Sequence, residues 1–166
     1  MNILINNFIK LLEDEKKLYE KLALILQQEK RAVIDSDLDA LNENSKQKEN
    51  LILKIRIMGE QRLDMIGRLS GLLNYSPREL TLSKLAQLVD EPYSTRLNEY
   101  HSNYLSIIQG IQELNQSNKE LLSHSVELIR GSINLLSNLL PSTPVYYRTG
   151  KVKSKGKRGA VISDQV

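Results

Sequence analysis

The side chains able to do chemistry in this chain are few, and their spacing works against it. The two histidines, His101 and His124, sit 23 residues apart on one helical stretch and cannot share a metal. Neither has a Glu three residues earlier, the spacing used by di-iron helical bundles, because those positions hold Asn98 and Leu121. Both histidines are expected on partly exposed helix edges. There is no Cys, which removes disulfides, thiol nucleophiles and zinc-thiolate sites together. Neither a phosphate-cradling Gly loop nor a G-x-S-x-G turn is present. Glu15 and Glu29 occupy helix-seam positions that call for apolar side chains. Their carboxylates are expected to reach a bundle edge or to meet basic residues of a neighbouring helix, since acid/base work would need a partner group that nothing nearby supplies. The reading is of a non-enzyme without metal or cofactor.

The elements that position these groups are long helices. Only one Phe, no Trp, eight Gly and four Pro argue against a sheet-rich domain. Apolar rows at steps of three and four predict helices at about 3–34 and 38–73, a short or irregular piece at 77–89 and a rod at 93–140. Asp35-Ser36-Asp37 supplies N-caps between the first two, with Asp39 in the first turn. A short turn makes these helices antiparallel and brings Arg62 and Lys48 opposite Glu15 and Glu29. Ser76-Pro77-Arg78-Glu79 has the pattern of a helix start, and Thr81 or Ser83 of another. The expected fold is all-α: an elongated antiparallel bundle of three long helices with a short helical connector, residues 1–140, followed by a basic flexible tail, residues 141–166.

The rod organises the rest. Tyr93, Tyr100, Ile107, Leu114, Leu121, Leu128 and Leu135 recur every seven residues between Pro92 and Pro141, a helix of about 70 Å. Its apolar arc spans roughly 120° in the first half and widens to roughly 180° in the second. That is more than a slender bundle covers, so the second half is expected to be buried in an oligomer or kept for a partner. Asn115, Asn118, Ser125 and Ser132 interrupt or flank the seam. They either fix register, as a buried Asn does in coiled coils, or offer hydrogen bonds to an incoming helix.

Charge separates the chain into two regions. The formal net charge is +3, yet Arg148, Lys151, Lys153, Lys155, Lys157 and Arg158 follow Leu140 against the single Asp164, which leaves the first 140 residues slightly acidic. A nucleic-acid reading of this tail lacks interleaved aromatics beyond Tyr147, and no nucleic-acid partner is expected. The apolar runs are short, and Met1 to Leu12 lacks the basic start and cleavage site of a secretory signal. A soluble, unprocessed, cytoplasmic protein without stable membrane insertion is expected.

The string Leu114-Asn115-Gln116-Ser117-Asn118-Lys119-Glu120-Leu121-Leu122 resembles the L-N-Q-x-N-x-x-L-L signature of FlgN-type flagellar export chaperones. Glu29 followed by Asp37, Leu41 and Lys48 is similar to the first helix-turn-helix pattern of that family. Pro144 and Gly150 around Tyr146, and Val161-Ile162 in the basic C-terminus, are similar too. This chain departs in having Tyr146 and Tyr147 where the family has one tyrosine, and Lys119 where Gly is common.

The resemblance implies a cytoplasmic chaperone without ATPase activity. It would cover a helix-forming C-terminal segment of the hook-associated (hook-filament junction) proteins, prevent their premature assembly, and engage the cytoplasmic domain of the export gate through a tail tyrosine, Tyr146 or Tyr147. The expected substrate face is Leu121, Leu122, Val126, Leu128, Ile129, Ile133, Leu136 and Leu140, with Asn115 and Asn118 as polar motif residues. The alternative from another class is a structural coiled-coil protein whose wide apolar face is a homodimer interface.

Overall fold

The computed structural model describes residues 1–139, and all its regular elements are helices: α1 (Asn2–Ile34), α2 (Leu38–Leu73), α3 (Leu82–Leu88) and α4 (Tyr93–Leu139). The chain divides into two compact units, Met1–Leu122 and the residues from Ser123 onward.

The turn between α1 and α2 follows from its polar residues. The backbone N–H of Asp35 donates to Arg31 O at 2.9 Å. Ser36 takes the left-handed conformation (φ 56°), and the Asp37 carboxylate accepts from Ala40 N at 2.9 Å, capping α2. At its other end α2 stops on Asn74, also left-handed (φ 55°), a conformation that Asn tolerates better than most residues.

The connector differs from expectation at one point. Ser76-Pro77-Arg78-Glu79 does not start a helix but makes a single turn, with Glu79 N and Leu80 N both donating to Ser76 O at 3.0 and 3.1 Å. Leu80 is buried, and Thr81 beside it must be extended (ψ 162°) so that its hydroxyl can cap α3 by accepting from Lys84 N at 3.2 Å. The helix cannot pass through an extended residue, so it begins only at Leu82. The connector is nonetheless core. Leu80, Leu85, Ala86 and Val89 pack with Ile5, Phe8, Ile9, Leu12, Leu69 and Leu97 in the main apolar cluster. A fully buried Leu or Phe of this kind contributes about 1.5–3 kcal/mol. A smaller cluster of Leu22, Ile25, Leu26 and Leu51 lies further along α1, joined by Ile55 of α2 and by Ile111 and Leu114 of α4.

Helix direction in the first unit is fixed by paired side chains. Glu15 meets Arg62 and Glu29 meets Lys48, so α2 runs against α1. Glu15 also meets Tyr104 and Glu29 meets Asn118, both at an offset of 89 residues, so α4 runs with α1 in constant register.

Candidate protein-binding site

Two polar layers, built alike and two heptads apart, hold α4 to the other helices. In the first, Glu15 is fully buried, and its Oε2 lies 3.3 Å from Arg62 Nε and accepts from the Tyr104 hydroxyl at 3.1 Å. The same hydroxyl donates to Leu12 O at 2.8 Å, and the Tyr104 ring meets that of Tyr19 edge-on at 5.8 Å. In the second, Glu29 is paired with Lys48, while Asn118 Nδ2 donates to Glu29 Oε2 at 3.1 Å and to Leu26 O at 2.8 Å. Each residue of the second layer lies 14 positions from its counterpart on the same helix: Glu15 to Glu29, Leu12 to Leu26, Tyr104 to Asn118, and Arg62 back to Lys48.

The expected pairing of the two glutamates with Arg62 and Lys48 is therefore present, and the carboxylates are buried rather than carried to a bundle edge. Satisfaction is incomplete: Glu15 Oε1, Arg62 Nε and Asn118 Oδ1 are buried without a hydrogen-bond partner. The Arg62–Glu15 contact is thus an ion pair by proximity rather than an aligned hydrogen bond. Burial first, then the neighbouring Glu15 carboxylate, pushes the Tyr104 hydroxyl above the ordinary tyrosine range, and Tyr19 moves the same way for the same two reasons.

The two motif asparagines separate here. Asn118 is 2 % exposed and fixes register between α4 and α1, the structural one of its two sequence readings. Asn115 is exposed. His101 is half-buried, and His124 is exposed beside Glu127 at 3.8 Å. The Ser132 hydroxyl is used within its own helix, donating to Leu128 O at 2.9 Å.

The expected substrate face falls on both sides of the unit boundary. Leu121 and Leu122, in the first unit, are half-buried, as is Ile133 in the second. Val126, Leu128, Ile129 and Leu136 are exposed, Leu128 to 73 %. Leu140, Tyr146 and Tyr147 lie outside the described residues. Leu135 and Leu139 are exposed to 60 % and 70 % and belong with this face, although the sequence-derived set omits them. The seven-residue repeat through Leu128 and Leu135 was the signal for the first. Within the second unit, Val126, Ile129, Ile133 and Leu136 form one row of the helical wheel, within about 80°, while Leu128, Leu135 and Leu139 form a second row beside it.

Among the described residues, no group of three His, Cys, Asp or Glu could hold a metal ion, and no helix is long and apolar enough to cross a membrane. No curated protein and no solved structure matches the chain. The family model described as FlgN protein matches residues 1–154, covering all four helices and the polar layers between them. This chain belongs to the FlgN family of flagellar export chaperones.

Proposed function

We propose that this protein works in the cytoplasm as a chaperone of the hook-associated proteins, holding their C-terminal helical segments on the apolar face of residues 121–140 until they are exported. The observation that carries this reading is the exposure of Val126, Leu128, Ile129, Leu135, Leu136 and Leu139 within one stretch of helix. Exposed apolar surface of this continuity marks an interaction site, and an amphipathic helix is the partner whose own stripe matches it. Covering the face would also mask the surface through which a filament-forming segment assembles. A tail tyrosine, Tyr146 or Tyr147, would engage the cytoplasmic domain of the export gate, a role that rests on the family resemblance.

The test is co-purification of hook-associated proteins with the Ile129→Asp/Leu136→Asp double variant. Both positions are exposed, so the variant should fold. Each change removes about 1.5–3 kcal/mol of apolar burial at the interface, so affinity should fall by about 100-fold or more. Undiminished binding by the folded variant would refute the assigned face. A wild-type dimer that the double variant dissolves, with no affinity for hook-associated proteins, would establish the homodimer alternative.

A further inference from the structure

The exposed face of the second unit is too wide for one helix. At about 100° per residue, Val126, Ile129, Ile133 and Leu136 fall within about 80°, and Leu128, Leu135 and Leu139 within about 40°. The centres of the two rows lie about 120° apart around the helix axis, with Ser132 between them. A helix about 10 Å across, packed at an interaxial distance of about 10 Å, covers an arc of only about 60°. One helix laid on either row therefore leaves the other in water.

The first unit supplies the scale. There the apolar residues Leu97, Tyr104, Ile111 and Leu114 of α4 lie within about 100°, and they pack in clusters that contain side chains of both α1 and α2. An arc of that width already serves two neighbouring helices. The roughly 180° from Leu135 to Val126 is thus more than a single seam.

Both rows are open. Val126, Ile129 and Leu136 are exposed to 47 %, 59 % and 59 %, and Leu128, Leu135 and Leu139 more fully still. The second row also has a seat of its own: Leu128 and Leu135 line a surface depression with Gly131 and Ser132, small residues that let another backbone come close. The Ser132 hydroxyl, bonded to Leu128 O, makes no demand on an incoming chain.

Neither the tail of this chain nor further copies of it suit the two rows. From Gly131 to Leu139 no side chain is charged, so the cations between Arg148 and Arg158 find no carboxylate there. A symmetric dimer brings one neighbouring helix to the face, and a symmetric trimer brings two that are only about 60° apart.

We propose that this face takes two helices of one partner chain, the first on Val126, Ile129, Ile133 and Leu136 and the second on Leu128, Leu135 and Leu139. The end of α4 then serves as one helix of a bundle shared between two proteins, and the partner must present a pair of helices rather than a lone one. This rests on the proposed function and specifies the form in which the cargo is held.

The chain has no cysteine, so Leu135→Cys and, separately, Leu136→Cys each carry a single benzophenone maleimide. Irradiation of the complex with a hook-associated protein, followed by mass spectrometry, should place the two probes on two different helical segments of that protein. Titration calorimetry should show Leu128→Gln with Leu135→Gln, and separately Ile129→Gln with Leu136→Gln, each weakening binding by about tenfold or more. Cross-links from both probes to one segment, or parent affinity in either paired variant, would overturn the two-helix seat while leaving the proposed function standing. Cross-links to a second copy of this chain would overturn it in favour of an oligomer. If the unmodified protein binds no hook-associated protein, the proposed function fails and this inference falls with it.

Discussion

Asn115 and Asn118 stand three residues apart in the same motif, and the structure predicts opposite consequences for replacing them with alanine. Asn118 Nδ2 donates to the buried Glu29 carboxylate and to Leu26 O. A hydrogen bond to a charged group contributes about 1.5–3 kcal/mol and a neutral one about 0.5–1.5 kcal/mol. Asn118→Ala also removes the unpartnered Oδ1, recovering about 1–3 kcal/mol of desolvation cost. The net loss should be about 1–2 kcal/mol, which lowers Tm by about 2–8 °C in a chain of this size. Asn115→Ala, at an exposed position, should stay within about 0.5 kcal/mol of the parent. Both replacements gain the same helix propensity, so the difference between them isolates the buried bonds. Thermal and urea unfolding of the two variants followed by circular dichroism gives the comparison, and a double-mutant cycle of Asn118→Ala with Glu29→Ala should return a coupling above about 1 kcal/mol. Equal Tm values for the two alanine variants, or zero coupling to Glu29, would refute the register role assigned to Asn118.

Two further outcomes follow from the same layers. Lys48→Met leaves the Glu29 carboxylate buried beside Asn118 without its cation and should destabilise the fold by about 3–5 kcal/mol; Arg62→Met should cost less, because the Arg62 side chain is 42 % exposed and its contact with Glu15 is poorly aligned, and urea midpoints rank the two. The raised folded-state values of Tyr104 and Tyr19 mean that stability is complete below the ordinary tyrosine value of 10.0 and is lost as pH climbs above it, where the unfolded chain ionises first; an alkaline unfolding series should show this fall, and Tyr104→Phe should flatten it.

Much of the fold was legible because helical periodicity and capping are local. The rows of α1, the Asp37 cap and the start of α4 after Pro92 each depend on residues within a few turns. The Glu15–Arg62 and Glu29–Lys48 pairs were legible for a related reason: a short turn between two helices fixes their mutual register, so the spacing of misplaced charges along one predicts their partners on the other. The connector was harder to read, since its Ser76-Pro77 start yields to the burial of Leu80 and the capping duty of Thr81, and that burial depends on α1, α2 and α4 arriving from elsewhere in the chain.

The amino-acid order alone determined that this protein is helical, that its last helix carries more apolar surface than a small bundle needs, and that it resembles the FlgN family, because all three are carried by spacing along one chain. Tertiary structure decided which polar residues serve the interior. Asn118 became a register pin and Asn115 a surface residue only when α1 came to lie alongside α4 at an offset of 89.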